Sequence, residues 1–185
     1  FLLDPQLSAA ELTDDHIAVL ATNGFEDSEL SSPVEAAKNE GAQITVVAPS
    51  TEDIEGKNGS KVSVDTTTEE ARGTDFDGII LPGGTSNADH LRTDEAAVEI
   101  VKKHVEAGKP LAVICHGAWI LTDADVLRGR TLTSYPSLKT DLTNAGATWV
   151  DEEVHVDNGL VSSRTPKDLD AFNAKLVEEF AEGQH

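Results

Sequence analysis

The one cysteine of the chain, Cys115, stands where an apolar run, Leu111-Ala112-Val113-Ile114, gives way to His116-Gly117. A lone cysteine forms no internal disulfide, so this thiol is an inert core filler, half of a bridge between chains, or a nucleophile. Nucleophilic work requires the thiolate. With a free pKa near 8.5 only about 3% of a thiol is ionised at pH 7, and lowering that pKa by three units takes roughly 4 kcal/mol of preferential stabilisation. A helix N-terminus after the cysteine supplies at most about half of it. Neighbours must supply the remainder, and the candidates are His116, Glu26 and the backbone of Gly84.

Those candidates meet only if the chain between them folds as alternating strands and helices. Ile17-Ala18-Val19-Leu20-Ala21 reads as a buried strand stopped at Asn23-Gly24. Pro33 after Ser32 and Gly41 at the far end bracket a helix over Val34 to Glu40, beginning there or one turn earlier. Gln43 to Ala48 is a second strand, and Asn58-Gly59 marks a peripheral hairpin. Gly78 to Leu81 runs into Pro82-Gly83-Gly84, a loop whose backbone approaches a ligand closely. Glu95 to Ala107 is a helix with Val98, Val101 and Val105 on one face, and Leu111 to Ile114 is the central strand, followed by a helix from Ala118 to Leu127. The remainder reads as strand (Thr131 to Ser134), helix (Leu138 to Ala145), strand (Ala147 to Val150), an Asn158-Gly159 hairpin and a helix from Pro166 to Ala181.

Such alternation predicts an α/β domain over residues 16–185, its parallel sheet covered on both faces, after a polar lead-in over residues 1–15. Ligands collect outside the carboxyl ends of such strands. Three loops lie there: Asn23 to Glu29, Pro82 to Leu91, and Cys115 to Gly117.

The 185 residues include 34 acidic and 14 basic side chains, a formal net charge of −20, with the acids spread through every segment. A folded chain of this mass exposes roughly 8,600 Å², which sets the acids about 16 Å apart. Repulsion at that spacing acts mainly at low salt, where the Debye length reaches about 30 Å at 0.01 M. The acidic surface therefore points to adaptation to a salt-rich cytoplasm, or to a partner protein that binds anionic surfaces. The same field repels phosphates and disfavours nucleic acid as a partner. No run of apolar residues is long enough to span a membrane, and Phe1-Leu2-Leu3-Asp4 lacks the basic flank of a signal peptide, so a cytoplasmic location is expected.

Six segments carry a resemblance: Gly24-Phe25-Glu26-Asp27-Ser28-Glu29-Leu30, Leu81-Pro82-Gly83-Gly84, Ile114-Cys115-His116-Gly117, Leu127-Arg128-Gly129-Arg130, Thr133-Ser134-Tyr135-Pro136-Ser137 and Ser162-Ser163-Arg164-Thr165-Pro166. In order and spacing they resemble the PfpI branch of the ThiJ/PfpI superfamily. The resemblance implies a flavodoxin-like three-layer sandwich with a cysteine elbow, and assembly as a dimer or hexamer. It further implies Cys115 as nucleophile, His116 as its acid-base neighbour, and Glu26 as a buried, protonated carboxyl group that donates a hydrogen bond to the thiolate. The N–H groups of Gly84 and His116 would form an oxyanion hole, and Gly83 and Tyr135 would line the pocket, although Tyr135 fits a packing role equally well. At the third catalytic position Asp89 is the nearest acid, on a loop one residue longer than in the family, reaching the histidine of an adjacent subunit.

Activities in that family include peptidase, deglycase on glyoxal-modified groups and glutathione-independent glyoxalase. The expected function is a cysteine-dependent hydrolase or lyase acting on a small carbonyl compound. A peptidase gated by assembly and a non-enzymatic redox-sensing stress protein are the alternatives. Glutamine amidotransferases share the elbow but take their histidine from a late segment, for which His155-Val156-Asp157 is the sole candidate and an alternating strand an equal explanation. His16, His90, His104 and His185 read as surface residues. No cysteine or histidine spacing resembles a metal site, and no cofactor is expected.

Overall fold

The computed structural model describes residues 11–184. Most of the expected lead-in, residues 1–10, and His185 lie outside the described residues. The rest of the lead-in is packed rather than purely polar: Leu12 is fully buried, with its N–H bonded to the Glu40 carbonyl at 2.8 Å.

Seven strands form the main sheet: β1 (His16–Leu20), β2 (Gln43–Ala48), β5 (Thr66–Thr67), β6 (Gly78–Leu81), β7 (Leu111–Ile114), β10 (Val154–Asp157) and β11 (Leu160–Ser163). Their order is β10-β11-β7-β6-β1-β2-β5, parallel throughout except for the β10–β11 hairpin. The short pairs β3 (Ile54–Glu55) with β4 (Lys61–Val62), and β8 (Thr131–Leu132) with β9 (Thr148–Trp149), lie off it. Strands buried on both faces need no polar alternation, which is why β1, β6 and β7 are continuous apolar runs. Successive residues still divide between the faces. Leu20, Leu81 and Val113 pack on one side with α4 (Glu95–Glu106), whereas Val19, Ile80 and Ala112 pack on the other with Leu30 of α1 (Asp27–Asn39) and Phe172 and Leu176 of α7 (Leu169–Glu182).

Because β7, β6 and β1 are neighbours, the loops at their carboxyl ends are neighbours too. That adjacency brings the three candidate loops together. Ile80 pairs with Val19 on one side and Ala112 on the other, which holds the strand ends level.

Several expectations need correction. The first helix starts at Asp27, well before Val34, with Pro33 inside it; its buried stripe is Glu29, Leu30, Pro33 and Ala37. The helix after Cys115 does not run to Leu127. A 3-10 turn spans Cys115–Trp119, a single α turn, α5 (Ile120–Asp123), follows, and Asp125 adopts φ 57°, which ends it. So short a helix has little macrodipole to offer the cysteine. The strand expected from Thr131 to Ser134 keeps only its first two residues, and Pro166–Asp168 is 3-10 rather than α.

His104 is not at the surface. It lies three residues after Val101 on the inward face of α4, is buried, and its ring Nε2 is 2.7 Å from the Pro110 carbonyl. That bond requires Nε2 to carry the proton, and burial, aided by Lys109, holds the ring pKa down to about 4 against the weaker pull of Asp77 and Asp75. The folded value lies below the unfolded 6.5, so the neutral ring costs nothing above pH 6.5 and stability is lost as pH falls from there toward 4. The loss from this ring reaches about 2 kcal/mol by pH 5. Thermal melts of the protein and of His104→Gln, which keeps a donor, should diverge between pH 7 and pH 5, the wild type falling further; parallel curves would contradict the neutral buried ring.

Candidate active site

Cys115 takes φ 61°, in the left-handed region, where a residue with a Cβ is strained by roughly 1–2 kcal/mol. The turn lifts the side chain off the end of β7 and toward the Pro82-Gly83-Gly84 loop. Its carbonyl accepts from Tyr135 N–H at 3.2 Å, which ties the elbow to the Thr133-Ser134-Tyr135 segment. The backbone N–H groups of His116 and Gly84 favour the thiolate over the thiol.

Two glycines make this approach possible. A side chain at Gly83 would collide with the Glu29 carboxyl group and come within 2.7 Å of the Cys115 Cβ. Gly84 adopts φ 99°, and a Cβ there would lie 2.8 Å from the Glu26 nitrogen. Alanine at Gly83 would force the loop off the thiol, and alanine at Gly84 would force it off the Gly24-Phe25-Glu26 backbone.

The buried carboxyl group beside Cys115 belongs to Glu29, not to Glu26. Glu29 is wholly inaccessible; its Oε1 accepts from Gly83 N–H at 2.9 Å, and the carboxyl group interacts with the Cys115 sulfur. Oε2 is buried without a hydrogen-bond partner of its own, a costly position for a charged oxygen and a suitable one for a proton. Burial accordingly raises the Glu29 pKa to about 8, with the negative charge of Glu26 adding to the effect. Glu26 sits higher in the loop. Its N–H bonds to the Gly83 carbonyl at 3.1 Å, while its carboxylate pairs with Lys57 Nζ at 2.7 Å and accepts from Ser28 Oγ at 3.2 Å.

Burial pushes the Cys115 thiol up to about 12, and an ionised Glu29 would contribute to that rise; the N–H groups of His116 and Gly84 and the Lys57 ammonium act in the opposite direction. At neutral pH Glu29 carries its proton, so its share of the repulsion is absent. The two groups are one coupled acid rather than two independent ones.

His116 Nδ1 lies 3.3 Å from the sulfur. The ring stacks on Tyr135, centroids 4.7 Å apart, and meets Trp119 edge-on at 6.4 Å. On the far side Nε2 is 3.5 Å from both Thr85 Oγ1 and Ser137 Oγ. Burial, with a contribution from Lys57, lowers its pKa, so the ring is neutral and able to take a proton. Among the described residues no carboxylate hydrogen-bonds this ring. Asp89 is exposed on α3 (Thr85–Leu91) and forms no bond to His116 within the chain. His90, also exposed, bonds back to the Ser86 carbonyl at 2.8 Å, and His155 pairs with Glu152 on the edge strand β10.

Sequence reasoning missed Glu29 and Lys57. Glu29 carried a usable signal, since it precedes Pro33 by four residues and Ala37 by eight and so shares their buried stripe. Lys57 had none, because nothing local shows that its hairpin docks on the site.

A strained cysteine between a glycine loop and a buried glutamate, at the carboxyl ends of a parallel sheet, defines an α/β domain with a thiol site. A profile of the DJ-1/PfpI family matches residues 15–179, and the chain belongs to that family. It is 46% identical over 162 residues to a Pyrococcus abyssi protein named a deglycase, a match covering 88% of this chain and 97% of that one. At 44% over 162 residues it matches YraA of Bacillus subtilis, whose name assigns it provisionally to the cysteine proteases, covering 87% and 95% of the two chains. Among solved structures, Drosophila melanogaster DJ-1beta superposes with a TM-score of 0.84 at 27% identity, covering 90% of each chain. An Anabaena variabilis protein with DJ-1/ThiJ/PfpI-like and ferritin-like domains gives 0.86 at 34%, covering 89% of this chain and 48% of that larger one.

Proposed function

We propose that the chain is a cysteine-dependent enzyme acting on small reactive carbonyl compounds or on the groups they glycate. The observation that carries this reading is the strained Cys115 at the end of β7, its Cβ against Gly83, whose N–H holds the buried Glu29 carboxyl group, and its sulfur 3.3 Å from His116 Nδ1. His116, neutral and 3.3 Å away, takes the thiol proton. The sulfur then forms a bond to the aldehyde carbon, the carbonyl π pair moves to oxygen, and the N–H groups of Gly84 and His116 hold the resulting oxyanion until His116 returns the proton. For a 2-oxoaldehyde, a proton shift between the two carbons of the hemithioacetal gives a thioester. Water releases this as a 2-hydroxy acid, so the reaction needs no other co-reactant.

Only 8% of Cys115 is exposed, and Tyr135 and His116 stand beside it, which suits a small electrophile better than a folded peptide. Peptide cleavage is the second reading, and it is favoured by the name of the Bacillus relative. A third, redox sensing, has peroxide oxidise Cys115 to a sulfinic acid held by the Glu29 O–H. A symmetric dimer or hexamer that brings Asp89 of one copy to His116 of another belongs to the same proposal, as does a salt-rich cytoplasmic setting.

The deciding experiment incubates the purified protein with methylglyoxal, with a methylglyoxal-treated amine and with an unstructured peptide, following products by NMR. Formation of lactate or release of the free amine supports the proposal. Peptide cleavage alone would transfer the site to the peptidases, and no turnover of any of the three would leave oxidation as its chemistry.

A further inference from the structure

The hairpin that the sequence places at the periphery is fastened to the thiol site along its whole length. Gly24 N–H bonds to the Glu55 carbonyl at 2.8 Å and Lys57 N–H to the Phe25 carbonyl at 2.9 Å. The Asp27 carboxylate accepts from Asn58 N–H and Ser60 N–H, each at 2.9 Å, so it closes the turn from below. Three backbone or carboxylate clamps at one turn are more than a two-residue strand pair needs. They hold the Lys57 backbone against Phe25, next to Glu26.

Lys57 points back over the loop to Glu26, whose N–H is bonded to the Gly83 carbonyl, and Gly83 in turn lies against the Cys115 Cβ. Its side chain remains about half exposed, so the ammonium group keeps a face open to solvent while it holds Glu26 on the loop that flanks Gly83. The charged and titratable groups around it are Glu26, Glu29, Asp27, His116 and Cys115; of these the carboxylates of Asp27 and Glu26 are occupied by the turn and by Lys57 itself, and Glu29 is protonated at neutral pH. An incoming anion thus finds the open face of the Lys57 ammonium group, paired with Glu26 on the loop over the thiol, on a protein whose net charge of −20 otherwise repels it.

We propose that Lys57, held by Glu26, forms an anion subsite beside Cys115 that selects electrophiles carrying a carboxylate next to the reacting carbon, as in small oxo acids. The inference rests on the reading of Cys115 as a working thiol. It assigns Glu26 the positioning of a cation, a task separate from that of the buried Glu29 carboxyl group. The Lys57 ammonium form is favoured first by the Glu26 carboxylate and further by the charge of a Cys115 thiolate when one forms.

Iodoacetate and iodoacetamide test this directly. Each reacts by the same displacement, in which the sulfur pair forms the S–C bond and iodide leaves with the C–I pair, but only the first carries a carboxylate. The rate ratio of the two reagents, measured at one pH and low salt, cancels differences in thiolate fraction and in folding between variants. Lys57→Gln should lower the ratio about fivefold, the size expected for loss of one unit charge several ångströms away in a partly aqueous site. Lys57→Arg should retain it. An unchanged ratio in Lys57→Gln, or no retention by arginine, would overturn the subsite alone; a wild-type thiol inert to both reagents would overturn the working-thiol reading and the subsite with it.

Discussion

Replacement of Cys115 by serine should abolish carbonyl turnover, and replacement of Glu29 by alanine should reduce it by about two orders of magnitude. The second figure follows from loss of one preorganised donor facing developing charge, which costs about 10²–10³ in rate. Glu29→Gln retains an N–H donor in nearly the same volume and should fall between alanine and the wild type. The diagnostic lies in pH rather than in size. Glu29 keeps its proton until about pH 8 and then becomes an anion against the sulfur, so wild-type turnover and alkylation should show an inflection near that pH. Glutamine does not ionise, and its profile should lack the inflection. Stability must move with it. The folded pKa of Glu29 lies above its unfolded 4.5, so its contribution is fully present below pH 4.5 and is lost as pH rises through about 8. Glu29→Gln should therefore gain on the wild type in thermal melts between pH 5 and pH 9. Superimposable rate profiles with no relative gain in stability would remove the buried proton from the mechanism.

The central sheet and the elbow were legible because the relevant signals are local. Leu111 to Ile114 ends at a cysteine followed by His116-Gly117, and Gly78 to Leu81 ends at Pro82-Gly83-Gly84; unbroken apolar runs halted by such residues leave few other readings. The carboxyl assignment was harder. Two glutamates lie three residues apart near the start of one helix, and the resemblance is carried onto Glu26; with Pro33 read as a first-turn residue, nothing sets Glu29 on an inward face. Once the helix begins at Asp27, Glu29 faces inward and Glu26 becomes the residue before its first turn. The apolar stripe through Ala97 and Val101 likewise passes through His104, but the polarity of the ring outweighed its position. The helix after Cys115 failed for a different reason. Apolar spacing from Ala118 to Leu127 suits a helix, yet the chain leaves the elbow in a tight 3-10 turn and Asp125 reverses it. Docking of the Lys57 hairpin depends on Asp27 and Phe25, some thirty residues earlier, and no pattern within the hairpin announces it.

Salt should change the stability of this protein more than any substitution outside its core. With 34 acids and 14 basic side chains, twenty negative charges remain in surplus whatever the pairing. Many of the pairs that do form, such as Arg128 with Asp125 and Lys103 with Glu99, are exposed contacts within one turn of chain, each worth a fraction of a kcal/mol. The surplus therefore acts as a diffuse repulsive field over a surface of 8407 Å². At roughly 0.01 M salt the Debye length of about 30 Å exceeds the spacing of about 16 Å between acids, and each charge is repelled by many others; at 1 M it shrinks to about 3 Å and neighbours no longer sense one another. The melting temperature should rise steeply up to a few tenths molar in any simple salt, by on the order of 10 °C, which corresponds to roughly 3–5 kcal/mol for a chain of this length. Above that range screening is nearly complete. Further gain must come from exclusion of the salt from apolar surface, so sulfate should continue to stabilise where chloride levels off. The lower limb is electrostatic and should depend on ionic strength alone, whereas the upper limb should depend on the identity of the anion. Melts at fixed pH across 0.01–2 M sodium chloride and sodium sulfate separate the two, and a melting temperature flat across both series would show that the acids are already neutralised locally and that the surface is not adapted to salt.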